Sequence, residues 1–209
     1  MIFLNRQQAG NKLGQALKRL ALDRPVVLGL PRGGVVVAYE VARELEAELD
    51  VVLVRKLRAP QNPELAIGAV AETGEVFLLP YAESMADQEY LEAEIAEQKE
   101  VLRKRSELYR EAKPKIPLTD RDVVLVDDGI ATGSTMEAAL ESVLSQLPAR
   151  VVVAVPVAPL EAAQKFGARA QFLALDLPEY FGAVGTFYQD FPQVEDQEVV
   201  DMLKAPSSK

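Results

Sequence analysis

Two adjacent carboxylates, Asp127 and Asp128, end a run of four apolar β-formers, Val123-Val124-Leu125-Val126, and are followed by Gly129-Ile130-Ala131-Thr132-Gly133-Ser134-Thr135. Four apolar residues in succession mark a strand buried on both faces, as in a parallel sheet covered by helices. Met136-Glu137-Ala138-Ala139-Leu140 then begins a helical pattern. A strand that passes through a small glycine-bearing turn into a helix presents unpaired N–H groups and the positive end of the helix dipole, a combination that binds phosphate. Paired acids beside such a cup accept hydrogen bonds from vicinal sugar hydroxyls or hold Mg²⁺. The ligand implied is a sugar phosphate. Walker A needs a Lys before its Ser/Thr and the Rossmann fingerprint needs G-x-G-x-x-G; neither pattern is present, so nucleotide-triphosphate hydrolysis and NAD binding are not supported.

A second strand–loop–helix unit precedes the first. Residues 25–30 read as a buried strand, Pro31-Arg32-Gly33-Gly34 as its loop and residues 35–48 as a helix. Glycines let backbone approach a ligand closely, and Arg32 can pair with phosphate in a bidentate way. Residues 50–55 read as the next strand, which places Arg55 and Lys56, with Arg58 nearby, at a carboxyl end that would line the crevice of an open α/β sheet.

Residues 123–135 resemble the phosphoribosyl pyrophosphate (PRPP) motif of the type I phosphoribosyltransferases. The resemblance implies displacement of pyrophosphate from C1 of PRPP by a nitrogen nucleophile. Asp127 and Asp128 would hold the ribose hydroxyls, directly or through Mg²⁺, and stabilise an oxocarbenium-like transition state. Gly129, Ile130, Ala131, Thr132, Gly133, Ser134 and Thr135 would cradle the 5-phosphate, while Arg32, Gly33, Gly34, Arg55 and Lys56 hold pyrophosphate. In the family a mobile loop closes over PRPP; Ala59-Pro60-Gln61-Asn62-Pro63-Glu64 matches it in position, with Arg58 and Glu64 as lid residues within a loop or hairpin over 56–80. Hypoxanthine/guanine-type members carry an acid at the position of Ala131, which argues against a 6-oxopurine acceptor. Glu64 and Asp190 are the candidate general bases.

With 209 residues, 49% of them hydrophobic, the chain is expected to form one domain, 1–209. A net charge of -9 argues against a nucleic-acid partner. Without Cys or His the chemistry falls to carboxylates, Lys, Arg, Tyr and backbone. No membrane-spanning run or signal peptide is legible, so a cytoplasmic protein is expected.

Leu13, Leu17 and Leu20 predict an N-terminal helix from Asn11, packed on the sheet and purely structural. Glu72-Thr73-Gly74-Glu75 is a hairpin turn, and residues 86–113 form a charged helical excursion, read as a solvated face in preference to a dimer contact. Strands over 150–155 and 171–175 flank a helix near 160–166. Residues 176–204 form a hood with a short closing helix; its Phe181, Phe187, Tyr188 and Asp190 either seal the core or offer a platform to a planar base. The fold class is doubly wound α/β: a mostly parallel five-stranded sheet with an antiparallel edge strand or hairpin, helices on both faces, and the hood. PRPP, pyrophosphate and a small planar acceptor are the expected partners, Mg²⁺ the cofactor and a homodimer the assembly. A non-catalytic PRPP- or nucleotide-binding regulator on the same fold, or a plain partner-binding domain, are the alternatives.

Overall fold

The computed structural model describes residues 1–205, the side chain of Glu64 excepted. The strands are Val26–Gly29 (β1), Glu48–Val51 (β2), Val54–Ala59 (β3), Asn62–Ala71 (β4), Val76–Leu78 (β5), Asp122–Val126 (β6), Arg150–Val157 (β7) and Gln171–Asp176 (β8). The helices are Arg6–Leu17 (α1), Gly33–Leu45 (α2), Ala82–Met85 (α3), Gln88–Ala112 (α4), Ser134–Leu144 (α5), Leu160–Gly167 (α6) and Asp196–Lys204 (α7). Five strands form a parallel sheet of order β2-β1-β6-β7-β8.

The central strand β6 is buried along its whole length, and alternation divides its side chains between two layers. Val124 and Val126 pack with residues of α1, α2 and α7; Val123 and Leu125 pack with residues of α5 and α6. Both faces are therefore covered, as the continuous apolar run demands. No helix among the described residues is long and apolar enough to cross a membrane.

Three expectations need correction. Residues 50–55 are not one strand: Val52 N–H still donates to Gly29 O, but Leu53 O accepts from Glu72 N–H, and the chain leaves the parallel sheet there. An unbroken apolar run hides that change of sheet. The antiparallel element is accordingly a separate three-stranded sheet, β3-β4-β5, lying between α4 and α5. The stretch 59–64 is a tight Pro60-Gln61 turn between β3 and β4, with bulges at Leu57–Ala59, rather than an open loop. Pro63 is tolerated in β4 because β5 pairs only with Gly68, Ala69 and Val70. The third concerns α1, which starts at Arg6, five residues earlier than Leu periodicity suggests. Asn5 caps it by accepting from Gln8 N–H at 2.9 Å. Side-chain-free Gly10 and Gly14 let it pack closely on α2, since a Cβ on Gly10 would lie 2.7 Å from Val37 O. Its Arg6 also reaches Asp128 at the end of β6.

The two sheets are joined through α4. Arg110 Nη1 donates to Asp50 Oδ1 on β2 at 2.6 Å, and its Nε and Nη2 donate to Glu72 just past β4 at 2.6 and 2.8 Å. Asp50 is 1% exposed, so its charge depends on this partner and on the Ile116 N–H. Burial alone would raise the Glu72 carboxyl; hydrogen bonds from Arg110 and Ser106 outweigh it and hold the pKa below the usual value. Arg110→Ala is expected to cost about 3–5 kcal/mol in urea unfolding, because it strands two carboxylates. A folded pKa below the unfolded one gives stability that is present above the unfolded value and lost as pH falls through the folded one. The acid-side decline of stability should therefore be shallower in the variant, and identical pH profiles would refute the coupling.

Candidate functional site

Parallel pairing of β1 with β6, with Gly29 opposite Val126, puts the carboxyl ends of the two strands side by side. Each feeds a helix whose N-terminus carries no side-chain cap: Gly133 precedes α5 and Arg32 precedes α2. First-turn N–H groups of both helices lack intrahelical acceptors, so two anion cups open on one crevice. Gly133, at φ 78°, makes the turn into α5, and Phe166 packs beneath it. Ala131, Thr132 and Thr135 are exposed, Ser134 is half-buried, and Thr132 and Ser134 hydroxyls lie 3.4 Å apart. Ile130 is buried and its N–H donates to Val157 O, which anchors the loop to β7.

The loop after β1 lies directly on the acids. A Cβ on Gly33 would overlap Asp128 Oδ2, and one on Gly34 would stand 2.7 Å from Asp127 Oδ1 and 2.9 Å from Asp127 Cα. The Pro31–Arg32 peptide bond is cis. Asp127 Oδ1 accepts the Asp128 N–H at 2.8 Å. Burial, then the neighbouring Asp128 charge, pushes the Asp127 carboxyl well up; burial also raises Asp128, with Arg6 opposing.

Two arginines that sequence reasoning passed over belong here. Arg6, in the first turn of α1, donates from Nε to Asp128 Oδ2 at 2.8 Å. Arg105, on α4, lines a recess of about 30 Å³ together with Arg55, Pro31 and Thr135. Only an acid–base pairing argument across the whole chain could have suggested Arg6, and nothing local marks either residue. Arg55 donates to Gln98 at 3.0 Å and has no carboxylate partner among the described residues; burial, then Arg105 and Arg58, lowers its pKa. Arg55 thus lines the recess from the start of β3, not from the end of a parallel strand, and Lys56 follows it on that strand. Arg58 is held by Glu94 through both Nε and Nη2 (2.8 and 2.9 Å) and by Glu97. Glu64 lies in β4, with its side chain outside the described ones.

In the hood, Phe181 and Phe187 stack on each other, centroids 5.3 Å apart, and both are half-buried. Tyr188 is no open platform. Its ring is buried between Phe3 and Phe191, and its Oη donates to Asp128 O at 2.6 Å. Burial, then the Asp128 charge, drives the phenol pKa far up, so it stays a donor. Asp190 is exposed and gives its N–H to Leu4 O. A groove of about 490 Å³ runs from Thr132 and Ser134 along Phe77, Leu78 and Tyr81 of the second sheet.

Residues 3–172 match the phosphoribosyl transferase domain family. The chain belongs to that family. It is 42% identical over 205 residues to two Mycobacterium tuberculosis proteins named "Putative phosphoribosyl transferase", covering 97% of this chain and 46% of each of theirs; it spans just under half the length of these curated relatives. Among solved structures it is similar to TT1426 from Thermus thermophilus, with a TM-score of 0.91, 59% identity and 98% of both chains covered. A purine phosphoribosyltransferase from Pyrococcus horikoshii shares the fold at 17% identity, with a TM-score of 0.51 and coverage of 93% and 97%. The type I phosphoribosyltransferase architecture expected from the motif is the one observed.

Gly34→Ala tests the contact between loop and acids. With backbone and a carboxylate under 3 Å from the new methyl, it is expected to lose about 1–3 kcal/mol in denaturant unfolding. Gly167→Ala, whose Cβ would meet nothing within 4 Å, should be near neutral; equal effects would disprove the packing.

Proposed function

We propose that this phosphoribosyltransferase-family chain moves the ribose 5-phosphate of PRPP to a nitrogen acceptor, with release of pyrophosphate. The observation that carries this reading is the packing of Gly33 and Gly34 against Asp127 and Asp128, which brings a second anion cup to the acid pair. A site for a nucleoside monophosphate alone needs only the α5 cup. A donor with phosphate at one end and pyrophosphate at the other needs both.

In the reaction the C1–O bond to pyrophosphate breaks as a C1–N bond forms, and the acceptor's proton leaves to water or a nearby carboxylate. Asp127 and Asp128, raised by burial, gain most from a positive charge developing beside them, which is what an oxocarbenium-like transition state supplies. Arg32, Arg55 and Arg105 would neutralise the departing pyrophosphate, and the N–H groups of Thr132 to Thr135 would fix the 5-phosphate. No cluster of three or more acidic ligands exists among the described residues. The donor set present, the adjacent Asp127 and Asp128, suits Mg²⁺, which binds through one or two carboxylates plus substrate phosphates. Asp127 and Asp128 would hold it, and it would supply charge neutralisation to the leaving group. The stacked Phe181 and Phe187 would meet a planar acceptor, and Ala131 offers no acid to a 6-oxopurine.

The non-catalytic regulator is the second reading, disfavoured by arginines gathered where a leaving group would go. Calorimetric titration with PRPP, with and without Mg²⁺, is the primary test. Micromolar binding, about -8 kcal/mol, is expected, followed by pyrophosphate release with some nitrogen acceptor. Asp127→Asn with Asp128→Asn should weaken binding and abolish turnover. A folded protein that ignores PRPP in both conditions would overturn the proposal, and binding without turnover across a panel of bases would favour the regulator.

A further inference from the structure

Arg6 is 7% exposed and has three engagements that meet nowhere else. Its Nε donates to Asp128 Oδ2 at 2.8 Å, its Nη1 donates to Pro192 O at 2.7 Å, and its guanidinium lies over the Phe191 ring, 3.6 Å from the centroid. One side chain from α1 therefore ties the acid pair to the hood. On the other acid, Asp127 Oδ1 is occupied by the Asp128 N–H. Each carboxylate thus has one oxygen engaged by an N–H group, and the two acids also lie within hydrogen-bond reach of each other, side by side. A vicinal diol needs two acceptors side by side.

We propose that Arg6 is a positioning residue: it fixes the Asp128 carboxylate so that its remaining oxygen and that of Asp127 form a matched pair of acceptors for the 2- and 3-hydroxyls of a ribose, and it makes that selection depend on the hood. The proposal rests on the donor reading above. A terminal carboxylate torsion is broad and nearly two-fold, so an Asp128 without a partner would sample orientations that lose one acceptor. Arg6 removes that freedom before the sugar arrives, and preorganisation of this kind appears as selectivity. The guanidinium is itself held on two other sides, by Phe191 and the Pro192 carbonyl. A shift of the hood reaches Asp128 through one rigid planar group. A clamp that merely stabilised the fold would weaken all sugar phosphates alike.

The test is calorimetric binding of ribose 5-phosphate and 2-deoxyribose 5-phosphate to the full chain and to Arg6→Gln, Arg6→Lys and Phe191→Leu, each checked for folding by circular dichroism. A hydrogen bond to a charged acceptor predicts a preference of about tenfold or more for the ribose in the unaltered protein. Arg6→Gln is expected to bring that ratio to about two or below while binding of the deoxy sugar changes little. Arg6→Lys should restore part of it, and Phe191→Leu should fall between. A ratio unchanged in Arg6→Gln, with both sugars weakened together, overturns the proposal. So does an unaltered protein that binds both without preference, which leaves the phosphate cup standing. Binding of neither sugar removes the donor reading itself. Should Arg6→Gln fail to fold, Phe191→Leu decides, and the full preference in that variant overturns the coupling to the hood.

Discussion

Everything in the site depends on the parallel hydrogen-bonded pairing of β1 with β6. Because Gly29 stands opposite Val126, both strands end at one level, and the loops that follow must emerge next to each other. Two helix N-termini then deliver positive potential to one place without any charged side chain. Acids at the end of β6 complete it, and glycines at the start of α2 are the only residues that let the neighbouring loop come so near. The crevice is thus a consequence of register, reinforced by side-chain absence.

The charge balance of the chain and of the crevice have opposite signs. The chain carries -9, yet Arg55 and Arg105 line one recess beside the crevice, onto which two uncapped helix N-termini open. Outlying acids are spent on structural pairs, such as Glu94 with Arg58 and Asp122 with Arg150. Arg6 belongs to neither group, since it cancels charge inside the crevice and directs a carboxylate as it does so. An acidic surface discourages polyanions, while a local cationic recess accepts a small one.

The sequence made the most local features legible. The strand–acid–glycine–helix order of residues 123–144, the hairpin at Glu72–Glu75 and the charged helix within 86–113 are written in adjacent residues, and the structure has each of them. Other features escaped. The change of sheet at Val52-Leu53 leaves no mark in hydropathy, because both sheets want apolar residues there. Arg6 meets Asp128 across 122 positions, and no periodicity reports such a contact. Aromatics in irregular segments read alike, as a core seal or as a platform, and only packing against Phe3 and Phe191 shows that the Tyr188 ring turns inward. The start of α1 was hidden for a different reason, an Asn cap preceding a polar first turn.

Among the described residues, no ladder hydrogen bond joins the three-stranded sheet to the five-stranded one. The hydrogen-bond ladder therefore stops at the junction, which α4 and α5 bridge, and on α4 Arg110 grips Asp50 on one side and Glu72 on the other. The linkage between the crevice and the hairpin therefore has an ionic part, beside the apolar packing of Leu57, Ile67 and Val70 in the main core and of α5 on β3 and β4. That ionic part weakens with acidity, as Glu72 and Asp50 lose charge, while the hydrogen-bond ladder within each sheet does not titrate.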